Sequence, residues 1–203
     1  MTTSTTPRLV LDATAQDLLF RQARTADRFT DEPVPDETIE AVYDLVRYGP
    51  TAFNQQPLRI FLLRSPESRE RLAVHLSRSN REKTLRAPLT SLLAVDNEFH
   101  RKLARLFPEF PGAADLYAEN HALRERSASL NGALQAAYFI IGIRAAGLAA
   151  GPMSGFDEDG VNREFFPAGD LSALLVVNIG RPEQSGERPR RPRLAHSEVC
   201  RTL

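Results

Sequence analysis

YAENHALRERSASLNGALQAAYFIIGIRAAGL, residues 117–148, decides how the rest of this chain is read. Leu123, Leu130, Leu134, Tyr138, Ile141, Ala145 and Leu148 keep a helical period through it. From Ala136 to Ile143 it is apolar on all sides, which predicts a helix buried all round there. Gly132, Ala133, Ala136, Ala137 and Gly142 are small enough for a second helix to approach closely, and Gly147 ends the element. In a chain of 203 residues such a helix has two explanations. It is the central helix of a monomeric core, or part of its cover comes from another subunit.

Toward the N-terminus, Ala13–Arg24 reads as a helix with Leu18, Leu19 and Phe20 on its apolar side. Asp36 opens a clearer one, in which Ile39, Val42, Tyr43, Leu45 and Val46 recur at helical spacing and Gly49 takes the C-terminal glycine position. Leu58–Leu63 is a short apolar run between Pro57 and Ser65, hence a strand. Ser65-Pro66 then starts a helix carrying Leu72, Ala73 and Leu76. Leu89–Val95 reads as a second buried strand and Glu98–Leu106 as helical. Beyond the long helix, Gly151–Phe156 is a tight Gly-rich stretch, and Asp157 caps a short helix to Phe166. Leu174–Ile179 is a third buried strand, closed by Gly180. Pro182, Pro189 and Pro192 keep the ending extended. The class is α+β. With no repeat and no mid-chain linker, the expectation is one domain over 1–203, with a loose start (1–12) and an extended tail (181–203).

Lys+Arg and Asp+Glu both number 26, so no charge excess suggests nucleic acid or an anionic membrane as partner. The longest apolar run, Ala136–Ile143, is far too short for a bilayer span. The polar start, Met1–Pro7, lacks the pattern of a signal peptide. One cysteine, Cys200, closes no internal disulfide, so a reducing cytoplasm is expected. The chain has no G-x-x-x-x-G-K-[ST] loop, no G-x-G-x-x-G fingerprint and no G-x-S-x-G elbow. His75, His100, His121 and His196 have no metal-ligand spacing.

Four segments are polar or Gly-rich beyond what a connection requires. Arg24-Thr25-Ala26-Asp27-Arg28-Phe29 sets two arginines and a hydroxyl after a helix, suited to a phosphate or simply a solvated basic turn. Gly49–Pro57 carries Thr51, Asn54, Gln55 and Gln56, suited to the polar edge of a heterocycle or to a self-satisfied turn. In Ser79–Lys83, Asn80 and Lys83 share a helical face. A neutral amide beside a cation reads a carbonyl and stabilises charge developing there, while an exposed lysine is the ordinary alternative. In Gly151–Phe156 the glycines let backbone N–H groups approach a ligand, or make a structural turn. The tail cluster Arg188–Arg193 has no interleaved aromatic residue, so a solvated tail or a grip on a small phosphate fits better than nucleic acid.

In this order the segments resemble the FMN-dependent nitroreductase family, and most of all the branch with the malonic semialdehyde reductases and related NADH dehydrogenases. PVPDETIEAVYDLVRYGPTAFNQQPLRIFLLRSPESRERL, SRSNREKTLRAP, QAAYFIIGIRAAGLAAGPMSGFD and the ending LLVVNIG with RPRL carry the likeness, over roughly Gln16 to Cys200. The resemblance implies an intertwined homodimer with a central mixed sheet, two FMN sites at its interface and C-terminal tails wrapping the partner. Arg24, Thr25 and Ala26 would then lie at the FMN phosphate and ribityl chain, with Arg191 and Arg193 also at the phosphate. Thr51 and Asn54 would border the flavin. Asn80 and Lys83 would meet its pyrimidine edge, and Met153, Ser154 and Gly155 would offer backbone N–H groups toward N5.

The implied reaction is a ping-pong hydride transfer from NADH or NADPH to a small semialdehyde, nitroaromatic or quinone, with no metal. Two alternatives stand beside it: a flavin-dependent dehydrogenase of a biosynthetic intermediate, and a flavin-binding protein without turnover. Ala26 replaces a serine common in the family, Asp27 is an unusual neighbour for a phosphate, and Leu58 stands where many members have an aromatic residue. Ser154-Gly155 replaces a Glu-Gly pair, which points to the semialdehyde reductase branch.

Overall fold

β2 (Leu89–Asp96) is buried at all eight residues, and the rest of the structure is arranged about it. The computed structural model describes residues 9–183 and 189–203. The expected loose start at Met1–Pro7, and Arg188 of the basic cluster, lie outside them. β1 (Leu58–Leu63), β2, β4 (Leu171–Gly180) and β3 (Ala149–Met153) form a four-stranded sheet in the order β1-β2-β4-β3. Every pairing is antiparallel. This corrects the expected mixed sheet: a parallel neighbour would have to come from outside these four strands.

Alternation along β2 and β4 sends side chains to two cores. Leu89, Leu93, Val177 and Ile179 pack with Val34, Ile39, Val42, Phe139 and Ile143 under α2 (Asp36–Val46) and α7 (His121–Ala145). Leu92, Ala94 and Val176 pack on the other face with Leu72 and Leu76 around α3 (Pro66–Ala73), and with Val161 of α8 (Glu158–Phe165) and Phe166. A third cluster, with Phe99, Leu103 and Tyr117, caps the end of β2.

Several local readings hold. Ser65 Oγ accepts from Ser68 N ahead of Pro66, and Asp157 accepts from Gly160 N at the start of α8. Close approach at the small residues of α7 is also seen. A Cβ on Gly142 would lie 2.5 Å from Val46 of α2, and one on Gly132 would lie 2.3 Å from Val95 of β2.

Other readings are corrected. The first helix stops early: α1 is Ala13–Gln16, followed by a π-turn over Asp17–Arg21. Pro35 is the N-cap of α2, and Asp36 sits inside the first turn. Residues 98–106 divide into a 3-10 turn, Phe99–Lys102, and α5 (Leu103–Leu106). The long helix is broken at Asn120 into α6 (Ala113–Glu119) and α7. Asn120 leaves helical geometry, and its side chain accepts from Leu123 N at 3.0 Å. The apolar period runs across the break because Tyr117 is buried in the third cluster. Within Ala136–Ile143 the single chain leaves Ala137 and Tyr138 exposed, and Tyr138 joins Leu130 and Leu134 in an uncovered apolar seam of α7, at 41%, 61% and 45% exposure. The Gly-rich stretch expected over 151–156 begins as β3, because Gly151, Pro152 and Met153 pair with Asn178, Val177 and Val176. In the described part of the tail, residues 181–183 and 189–203, the one helical turn is α9 (His196–Val199).

Candidate functional site

Residues 24–30 run along the outer edge of β3. Ala26 N donates to Ala150 O at 3.3 Å. A Cβ on Gly151 would lie 2.5 Å from the Ala26 carbonyl oxygen, so only glycine allows this approach. Farther on, Thr30 N donates to Arg181 O at 2.9 Å and Phe29 bridges Pro182.

The π-turn before this segment leaves carbonyl groups without helical partners, and arginines collect on them. Arg24 Nη1 donates to the carbonyls of Arg21, Gln22 and Ala23 at 3.2, 3.2 and 3.3 Å. Arg190, from the tail, donates to Arg21 O and, at 3.0 Å, to Ala23 O. Arg144 donates to Leu19 O at 3.0 Å. Partial loss of water, then Arg24, Arg193 and Arg144 in that order, lower the Arg190 pKa. Among the described residues no carboxylate pairs with Arg24, Arg144, Arg190 or Arg193. Like charges gathered without counter-charge repel, and a dianion among them relieves that. Arg191 and Arg193 were the tail residues expected at the phosphate. Arg193 joins the group through its charge, but its guanidinium donates to its own neighbours, Arg191 O and Pro192 O. Arg190, absent from the expected set, is the tail arginine that reaches the carbonyls of residues 21 and 23.

α4 (Arg78–Arg86) brings Asn80 and Lys83 to the same edge of the sheet. Asn80 Nδ2 donates to Gly155 O at 3.3 Å, and Ser77 N donates to the same oxygen at 3.0 Å. Met153 ends β3, and the Ser154-Gly155 segment that follows it is thereby strapped to the start of α4. Lys83 lines a cavity of about 320 Å³ whose other charged walls are Asp27, Arg28, Glu82, Arg86 and Glu183. Lys83 has no ion-pair partner among the described residues, unlike Arg86, which faces Glu82 at 4.0 Å. The structure thus brings together Arg24, Thr25, Ala26, Asn80, Lys83, Met153, Ser154 and Gly155.

Thr51 and Asn54 lie elsewhere. Leu58 and Met153 belong to opposite edge strands, three strand spacings apart and, through the Phe61–Leu92–Val176–Met153 alignment, three residues apart along the strands. That is roughly 14 Å across and 10 Å along, or about 17 Å in all. The loop holding Thr51 and Asn54 is strained. Phe53, Asn54 and Gln56 have φ of 49°, 47° and 44°, left-handed geometry that costs about 1 kcal/mol or more per non-glycine residue.

A polar stripe one turn apart on α7 holds this loop. Asn131 Oδ1 accepts from Ala52 N at 2.8 Å, Gln135 Oε1 accepts from Leu58 N at 3.0 Å, and Ser127 Oγ accepts from the fully buried Gln55 at 3.0 Å. Thr51 Oγ1 accepts from Gln56 N at 3.3 Å. Asn54 donates to Leu106 O at 2.9 Å and accepts from Gln56 Nε2 at 2.8 Å. The Phe53 ring packs against Phe107, Phe110 and Tyr117. Sequence reading missed Ser127, Asn131 and Gln135. The available signal was three polar residues at four-residue spacing, 127, 131 and 135, along one side of α7.

Below this loop the end of β2 is fixed by charge. Asp96, with its side chain 6% exposed, accepts from Arg59, from Lys102 at 2.6 Å and from Glu98 N at 2.8 Å. Burial raises the Asp96 pKa, but these hydrogen bonds and the Arg59 and Lys102 charges outweigh it and hold the carboxyl below its ordinary value of 3.8. Among the described residues no group of side chains could hold a metal ion. No helix there is long and apolar enough to cross a membrane.

Comparison with known proteins gives one consistent answer. The Nitroreductase family profile matches residues 21–181. A Streptomyces coelicolor protein provisionally named an NADH dehydrogenase/NAD(P)H nitroreductase is 60% identical over 195 residues, covering 96% of this chain and 99% of its own. A Ralstonia nicotianae protein with the same provisional name is 42% identical, covering 95% and 98%. A crystal structure from Bacillus subtilis, provisionally described as a nitroreductase, superposes with a TM-score of 0.85 at 20% identity, covering 95% of this chain and all of that one. Another, from Exiguobacterium sibiricum and solved in complex with FMN, has a TM-score of 0.80 at 14% identity, covering 98% and 100%. From these matches along nearly its whole length, the chain belongs to the nitroreductase family.

Proposed function

We propose that this chain is an FMN-dependent oxidoreductase that passes hydride from NAD(P)H to a small acceptor, and that it works as a homodimer. The observation that carries the proposal is the arginine group at Arg24, Arg144, Arg190 and Arg193, with no carboxylate partner among the described residues, on the same sheet edge as Asn80, Lys83 and Gly155. The donor set fits FMN: guanidiniums for a phosphate dianion, and an amide and an ammonium for a polar ring edge.

When bound, FMN supplies two-electron hydride chemistry that no side chain here can perform. The chain's own groups do the rest. Arg24 and Arg190 hold the phosphate. Ala26, pressed onto Gly151, lets the backbone follow the ribityl chain. Asn80 would hold the pyrimidine edge, and the Lys83 ammonium would place positive charge beside it. Met153, Ser154 and Gly155 would offer backbone groups to the ring. NAD(P)H and the acceptor, a semialdehyde, nitroaromatic or quinone, would bind in turn.

The homodimer reading rests on two features of the single chain. Thr51 and Asn54 precede β1, the strand at the opposite edge of the sheet from β3, so a second copy is needed to bring that loop over the cofactor. The uncovered seam of Leu130, Leu134 and Tyr138 is the apolar surface such a copy would bury. The exposed lone Cys200 suits a reducing cytoplasm.

The test is an absorbance spectrum of the purified protein, repeated after anaerobic addition of NADH. A yellow protein that bleaches supports the reading. A protein that takes up no added FMN overturns it, and one that binds FMN but never bleaches leaves a flavin-binding protein without turnover. Leu134→Glu should convert the dimer to a monomer by sedimentation; an unaltered dimer would remove α7 from the interface.

A further inference from the structure

One buried side chain lies beneath all three in-chain site segments. Asn178 of β4 is 1% exposed and pairs in register with Thr90 of β2 and Gly151 of β3. Its Oδ1 accepts from Thr90 Oγ1 at 2.8 Å, and its Nδ2 donates to Thr84 Oγ1 at 3.3 Å. Thr84 and Thr90 are fully buried. Thr84 follows Lys83 directly and lies one helical turn past Asn80, so the amide reaches α4 on the turn that carries both. A Cβ on Gly151 would be 3.7 Å from Asn178 Cβ and 2.5 Å from the Ala26 carbonyl oxygen. The same amide therefore underlies the point where residues 24–26 cross β3.

Stability alone gives no reason for polar groups here. The neighbouring positions on this sheet face, Leu92 and Val176, are apolar and fully buried. Replacing both partners of a buried hydrogen bond by apolar groups of similar shape is close to neutral for stability. Apolar packing, however, tolerates sliding, whereas a chain of hydrogen bonds fixes distance and direction at both ends.

We propose that Thr84, Asn178 and Thr90 form a positioning network that sets α4 on the sheet in the one placement where Asn80 and Lys83 meet the cofactor. The inference rests on the FMN reading above. None of the three touches the reacting atoms; they act through Lys83 and Asn80.

The test compares Thr84→Val, Thr84→Ser and the triple variant Thr84→Val/Thr90→Val/Asn178→Leu. FMN affinity of the apoprotein is measured by fluorescence quenching, midpoint potential by dye equilibration, and thermal stability alongside. Thr84→Val should bind FMN about tenfold more weakly, the equivalent of one lost contact of hydrogen-bond strength. Its potential should move to more negative values as the Lys83 charge is displaced. Thr84→Ser, which keeps the hydroxyl, should restore both.

The triple variant should melt close to the wild type yet keep the weak binding and the shifted potential. If it binds FMN within twofold of the wild type at an unshifted potential, the network is structural only and the inference is overturned, even if Thr84→Val fails to fold. A wild-type chain that takes up no FMN overturns the functional reading first, and this inference with it.

Discussion

Gly151→Ala tests whether the sheet edge holds the cofactor's phosphate. The new methyl would lie 2.5 Å from the Ala26 carbonyl oxygen. Carbon–oxygen contacts settle near 3.3 Å, so the two backbones must separate by about 0.8 Å. β3 is held by its ladder to β4, whereas the described backbone tie from Ala26 to β3 is one bond of 3.3 Å to Ala150 O. The 24–26 segment is therefore the part that moves.

Losing that bond costs about 1 kcal/mol, a fall of roughly 2–4 °C in melting temperature for a chain of this size. Pulling Arg24 off the phosphate removes a charge-assisted contact worth about 1.5–3 kcal/mol, so FMN should bind roughly 10- to 150-fold more weakly. Riboflavin, which has no phosphate, should lose little. Fluorescence quenching titrations with both ligands, beside thermal melts, read all three numbers. A lowered melting temperature with FMN affinity within twofold of the wild type would show that residues 24–26 do not hold the phosphate.

Three further outcomes follow from the site. Arg24→Gln and Arg190→Gln should each weaken FMN about tenfold, flatten the salt dependence of binding and leave riboflavin unchanged; titrations at two ionic strengths check this, and equal losses for both ligands would argue against a phosphate contact. Asn131→Leu leaves Ala52 N–H without its acceptor and should cost about 2 kcal/mol, roughly 4–8 °C in a thermal melt; an unchanged melt would mean that α7 does not hold the loop. Asp96 has a folded pKa below its ordinary 3.8, so its contribution is complete above that value and lost as pH falls through the folded one. Asp96→Asn should therefore melt lower at pH 7 and lose less on going from pH 4 to pH 2, and parallel stability curves would refute this.

Elements set by local chemistry were legible in the sequence. The bounds of β1 match because Pro57 and Ser65 punctuate an apolar run, and α3 begins at Pro66 because cap and proline stand in the favoured order. β3 was not legible: Gly151 and Pro152 are poor strand formers, and only pairing with β4 makes them one. The break at Asn120 was hidden because Tyr117 continues the apolar period from its own cluster. Lys83, Asn80 and Gly155 could be found in sequence because charge, amide and glycine announce chemistry by type. Arg190 could not be told from its neighbours, since which of several tail arginines meets a carbonyl depends on chain path. Asn131 and Gln135 were read only as part of a helix, because their work is on the backbone of a distant loop.

The left-handed backbone at Phe53, Asn54 and Gln56 bears on how this protein can adapt. Glycine there would relieve strain of about 1 kcal/mol at each position but would also loosen the unfolded chain. Glycine at 54 would also delete the bonds to Leu106 and Gln56. Glycine at 53 would remove the ring that packs against Phe107 and Phe110. The side chains that make the loop strained are thus the ones that anchor it, and glycine at these positions would loosen the loop without hardening the protein.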